Sequence, residues 1–151
     1  MQHYRSHKPL EQNFYMRGEL EQVEQNVASW SLKTNTLCVL SRYSAAWRLA
    51  PDVRYNVASF MVSKDASLDE SLTELIRDFD ARPVETGANL VLQICDDESY
   101  LSHRLGESLQ STSPLQTYLD LRAMNGRGAE AAMAIYEKFL KQSFKEATER
   151  A

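Results

Sequence analysis

The run "NLVLQIC" from Asn89 to Cys95 is apolar at almost every position. A strand with one wet face alternates apolar and polar residues, whereas a strand covered on both faces does not. This run therefore predicts a central strand, and the rest of the chain must supply elements to cover it. The preceding "RPVETGA" predicts a second strand, with a turn at Thr86–Gly87 between the two. Just upstream, "SLDE" at Ser67–Glu70 has a hydroxyl at a cap position and a carboxylate three residues on, the pattern of a capping box. Leu68, Leu72, Leu75, Ile76 and Phe79 then form one helical stripe.

The remaining elements follow from the same rules. Leu20, Val23, Val27 and Trp30 recur at helical spacing and predict a helix over about 19–31. Glu19, Glu21 and Glu24 fall near its start, where the helix dipole favours acids. "TLCVL" (Thr36–Leu40) predicts a strand; Ser41 stands where it can cap a short helix that Pro51 ends. "VRYNVASFMVS" (Val53–Ser63) alternates at first and then turns apolar on both sides, as a strand entering a core does. Ser113–Pro114–Leu115–Gln116 is a second capping box with proline at the favoured first helical position. That helix is expected to run to about Met124, with Asn125–Gly126 ending it. A last helix is expected from Gly128 or Ala129 to about Ala147, with Ala132, Tyr136, Phe139 and Phe144 on one side and Met133 and Leu140 flanking. Residues 97–112 read as loop with a short helix or an edge strand. Residues 1–17 carry no periodic pattern and read as a polar, extended or frayed lead-in. The expected fold is α+β over 18–151: a small mixed β-sheet of three to five strands, packed by helices, with a C-terminal helical hairpin.

The chain has 151 residues, 43% of them hydrophobic and 25% charged, ordinary usage for one globular domain. No apolar run nears the roughly 18 residues of a membrane span, and the start lacks the apolar core of a secretory signal. Cys38 and Cys95 sit far apart in apolar runs, as two buried thiols in a reducing compartment would. The net charge of −4 excludes a globally basic nucleic-acid binder. The charge is uneven. Residues 1–64 carry eight Lys/Arg against five Asp/Glu, and residues 65–112 carry three against eleven. Such asymmetry can orient a partner, or it can mark one solvated acidic helix face.

The sequence offers little for chemistry. Asp96, Asp97 and Glu98 follow the central strand and could hold a divalent metal in a nuclease, but the strand offers Gln93 and no lysine beside them. An acidic turn is the better reading. His3 and His7 are four apart without a third ligand, and His103 has no nucleophile context. No phosphate-binding glycine loop and no "GxSxG" occurs. The expectation is a non-enzyme with no cofactor and no metal. The basic stretch is more telling: Arg42, Tyr43, Trp47, Arg48 and Arg54 fall together with Asp52 as the one acid. Arginine with aromatics marks interface hot spots and nucleic-acid surfaces. The other reading is Trp47 in the core with the arginines solvated.

Three pieces together resemble the C-terminal region of AbiEi-type antitoxins of type IV bacterial toxin–antitoxin (abortive infection) systems. They are "SRYSAAWRLAPDVRYNVASFMV", "RPVETGANLVLQICDD" and, most specifically, "SPLQTYLDLRAMNGRGAEAA". The last places Tyr118, Asp120, Leu121, Gly126, Arg127, Gly128 and Glu130 on the family's motif. The resemblance runs over about 25–145. It implies a cytoplasmic regulator that opposes a nucleotidyltransferase-like toxin, with autorepression through an N-terminal winged helix that binds DNA. No room for a winged helix precedes residue 18, so the expectation is contact with a protein partner or a homodimer, with DNA bound only weakly. Arg42, Tyr43, Arg48, Arg54 and Arg127 are the candidate partner-binding residues. Arg127 is expected either to clamp the helix corner through Asp120 or Glu130, or to project to a partner. The alternatives are a DNA-associated regulator using the Arg42–Arg54 surface and a metal nuclease centred on Asp96.

Overall fold

The computed structural model describes residues 10–96, 103–105, 109–124 and 127–150. Among the described residues seven strands form one mixed sheet. They are β1 (Leu10–Tyr15), β2 (Cys38–Leu40), β3 (Ala58–Ser63), β4 (Arg82–Pro83), β5 (Leu90–Cys95), β6 (His103–Leu105) and β7 (Leu109–Ser111). Their order is β4-β1-β5-β3-β2-β7-β6. The helices are α1 (Leu20–Thr34), α2 (Arg42–Leu49), α3 (Leu68–Phe79), α4 (Pro114–Arg122), α5 (Gly128–Ile135) and α6 (Lys141–Arg150). The fold is α+β, and the C-terminal helices are present.

The "NLVLQIC" run lies mid-sheet, parallel to β3 and antiparallel to β1. Leu90, Leu92 and Ile94 enter the main core, while Cys95 on the opposite face packs with Val39 and Met61. Both faces are covered, which is why the alternation is missing. All six residues of β3 are buried for the same reason. Val23, Val27 and Trp30 of α1 and Leu68, Leu72 and Leu75 of α3 join the main cluster. The Trp30 indole N–H donates to the Ser71 carbonyl at 2.6 Å, so this buried ring is polar-satisfied and ties α1 to α3.

Several boundaries differ from expectation. The second half of the lead-in is strand β1, inserted between β4 and β5, with Phe14 and Met16 buried. Its partners lie some 70 residues away, so no local pattern announces it. The two strands around Gly87 consequently do not pair with each other. Strand β3 starts at Ala58, not Val53; the 53–57 segment is irregular although Val53 is buried. Ser67 stands at the helix start, but its hydroxyl donates to Asp65 and makes no capping bond. Ser113 does cap, accepting from the Gln116 N–H at 3.1 Å. The last helix is interrupted by a π turn at Tyr136–Leu140. Ala131, Ala132, Ile135 and Leu140 are buried, Tyr136 and Phe139 pack against the core half-buried, and Met133 is exposed. Ile76 is likewise 41% exposed at the edge of its stripe.

Candidate partner-binding groove and its buried charge network

Helix α2 organises the polar interior. Ser41 precedes it, but the Ser41 hydroxyl donates to Gln93 Oε1 at 2.8 Å and does not cap the helix. Arg42, the first helical residue, takes φ +49° in the left-handed region, where a non-glycine residue is strained. Its Nη2 is paired with Glu11 of β1. Its Nε is buried with no hydrogen-bond partner among the described residues, and so is Asp120 Oδ2 on α4. Arg42 bears on Asp120 electrostatically, while Gln116 Nε2 donates to the other carboxylate oxygen at 2.7 Å. Burial outweighs both and pushes the Asp120 carboxyl up to about 6.

One turn on, Ser44 and Arg48 face Glu24 of α1. Arg48 Nη2 donates to Glu24 Oε1 at 2.7 Å, and the Ser44 hydroxyl donates to Glu24 Oε2 at 2.7 Å. The Tyr55 hydroxyl donates to the same oxygen at 2.8 Å and accepts from Arg48 Nη1 at 2.6 Å. Ser44 Oγ also accepts from the Ser59 N–H of β3. Glu24 is 4% exposed, so this is a buried carboxylate satisfied by three donors. Burial, then the Glu24 bond, pushes the Tyr55 phenol up to about 12. The Tyr55 ring lies 6.3 Å from Trp47.

Two clefts flank this network. One, of about 420 Å³, is lined by Leu20, Glu21, Glu24, Trp47, Arg48, Arg54 and Tyr55. The other, of about 340 Å³, lies between α2, the 53–57 segment and the α4–α5 corner. Arg42, Tyr43, Arg54 and Arg127 all line it, and no acidic residue does among the described residues. Burial raises the Tyr43 phenol while the neighbouring Arg127 guanidinium pulls it back. Four of the five residues singled out for partner binding are thus brought to one groove. Arg48 is not; it is held inward by Glu24.

The motif residues have separate structural places. Leu121 is fully buried. Tyr118 stacks loosely on Tyr136, with ring centroids 6.1 Å apart. Gly128 starts α5 so close to α4 that a Cβ there would lie 2.3 Å from the Leu121 carbonyl oxygen. Arg127 pairs with Glu130 through Nε at 3.2 Å and Nη2 at 3.3 Å, and not with Asp120. Gly126 lies outside the described residues. So do His3, His7, Asp97 and Glu98, and Asp96 is exposed at the end of β5. Among the described residues no cluster of three or more His, Cys, Asp or Glu could hold a metal. Cys95 is buried and Cys38 half-buried. No helix among the described residues is long and apolar enough to cross a membrane.

Sequence reasoning missed Glu24, Ser44 and Tyr55. One signal was present: Glu24 is four residues after Leu20 and three before Val27, so it lies on the apolar stripe of α1. A carboxylate there needs partners brought by tertiary structure.

By class this is an α+β domain with a groove walled by arginine and tyrosine. Residues 5–141 match the family described as transcriptional regulator, AbiEi antitoxin, type IV toxin–antitoxin system, and the chain belongs to that family. The family is one of regulatory proteins. No curated protein matches the chain.

Proposed function

We propose that this chain opposes its toxin by binding rather than by catalysis, in the cytoplasm, and that the toxin is nucleotidyltransferase-like. The groove shared by Arg42, Tyr43, Arg54 and Arg127 is the contact surface in this reading. The observation that carries it is their convergence on one groove without an acidic wall, in a chain whose net charge is −4. Arg54 and Arg127 are exposed at its rim. Exposed arginine beside aromatic surface is the composition from which interface hot spots are made. Arg48 drops out of the contact set because it lines the other cleft, where it is paired with the buried Glu24. That loss also weakens the DNA-associated alternative, which drew on Arg48. Arg127 serves both readings open at the sequence level: Glu130 holds it at the corner, and it still borders the groove.

The test is co-expression with the toxin encoded beside it, scored by growth. The wild type is expected to restore growth, and the Arg54→Glu, Arg127→Glu double variant to fail while staying folded by circular dichroism. Full rescue by the folded double variant would remove the groove from the antitoxin activity. Absence of any nucleotidyltransferase-like neighbour, with no rescue by the wild type, would remove the toxin assignment.

A further inference from the structure

The groove has two kinds of wall. One is cationic: Arg42, Arg54 and Arg127, with no carboxylate among the described lining residues. The other is flat and apolar: Tyr43 and Tyr55 with three valines and Met124. The Tyr55 hydroxyl is already bonded to Glu24 and Arg48, so its ring is what remains to offer. Asn56 adds an amide, which can both donate and accept. Arg42 supplies a further sign. It is held in a strained left-handed conformation, and its buried Nε has no acceptor among the described residues. Buried donors are rarely left so, and strained residues of this kind cluster at ligand sites.

A ligand fitting these walls is an anion that also carries a flat ring. Guanidinium groups recognise phosphate through paired N–H donors, and aromatic faces stack on bases whatever their sequence. At about 340 Å³ the groove is the size of a small-ligand site and far too small for a duplex. A carboxylate-rich peptide would satisfy the arginines but leave the tyrosine and valine surface uncovered. We infer that this groove binds a nucleotide, its phosphate on the arginines and its base against the tyrosines. The nucleotide is either free or one unit of a single strand. The inference deepens the reading proposed above in that it rests on the same groove.

The experiment is isothermal titration of the full chain with AMP, GMP, CMP and UMP, with inorganic phosphate, with a short single-stranded RNA and with an oligoglutamate peptide. Saturable one-to-one binding of at least one nucleotide is expected below about 1 mM. Inorganic phosphate should bind at least about tenfold more weakly, because it lacks the ring. Arg54→Gln and Arg127→Gln should each weaken nucleotide binding about tenfold or more. Arg77→Gln, on the exposed face of α3, should leave it unchanged. Arg127→Gln breaks only an exposed pair with Glu130, so the fold should survive it. RNA binding tighter than any mononucleotide assigns the site to a strand; equal affinity assigns it to the free nucleotide. The inference is overturned if neither nucleotides nor RNA saturate, if phosphate binds as well as nucleotide, if the peptide binds more tightly, or if Arg54→Gln and Arg127→Gln change nothing. Nucleotide binding lost in variants that still rescue growth would sustain this inference and sink the toxin contact instead.

Discussion

Arg48 on α2 and Glu24 on α1 are joined at 2.7 Å, and the carboxylate is only 4% exposed. The pair fixes α2 against α1, and the Ser44 and Tyr55 hydroxyls donate to the other oxygen of the same carboxylate. Removing one partner would strand the other in a place water reaches poorly, which is the costly way to break an ion pair. Arg48→Met is therefore expected to destabilise the domain by about 3 kcal/mol, discounted from a fully buried pair because Arg48 retains some exposure. Removing both charges, as Glu24→Leu with Arg48→Met, should recover much of that loss. Urea denaturation of the two variants and the wild type measures the difference. Equal stability of the single and double variants would show that the pair is not the organising contact.

Asp120 gives a pH signature. Burial raises its carboxyl from 3.8 to about 6 in the folded chain. A raised acid favours the protonated form in the folded state. Its contribution is fully present below pH 3.8, falls as pH rises through 6, and is absent at neutral pH. Over that window the loss is on the order of 3 kcal/mol. Asp120→Asn, which keeps the shape and cannot ionise, is expected to be more stable than wild type at pH 7 and to flatten the dependence between pH 4 and 6. A variant with the wild-type pH profile would contradict this.

Gly128 is required by distance, not by backbone conformation. The Cβ of Gly128→Ala would press on the Leu121 carbonyl oxygen at 2.3 Å, and that atom belongs to a helix backbone. Alanine would otherwise gain about 1 kcal/mol over glycine in a helix. The clash is expected to win, with a net loss of about 2 kcal/mol and a lowered melting temperature.

Two serines of the same apparent kind should behave differently. Ser113→Ala removes a formed cap to the Gln116 N–H and is expected to lower stability by about 1 kcal/mol. The Ser67 hydroxyl bonds Asp65 and caps nothing in α3, so Ser67→Ala should lower it by less than about 0.5 kcal/mol. Thermal melts of the two single variants decide it.

Much of the architecture is carried by local pattern. The stripes of α1 and α3 are legible because helical spacing alone decides which side chains share a face. The covered strand β5 is legible because burial on both sides removes alternation. The Ser113 cap and the Arg127–Glu130 pair span three residues each, and both form. What is not legible joins distant segments. Strand β1 reads as a lead-in because its pairing with β4 and β5 rests on residues far along the chain. The "SLDE" pattern fits a capping box, but Ser67 takes ψ 3° in place of the extended conformation of a cap, and its hydroxyl turns back to donate to Asp65.

The same division holds for the site. By itself the sequence determined the α+β class, the central strand and the basic, aromatic composition around Arg42–Arg54, since each depends on residue type and spacing. Only the tertiary structure decided which of those arginines faces outward. Burial of Glu24 draws Arg48 inward, because an ionised carboxylate away from water needs a cation and donors. Packing of the α4–α5 corner against α2 then brings Arg127, more than 70 residues from Arg54, to the wall of the same groove.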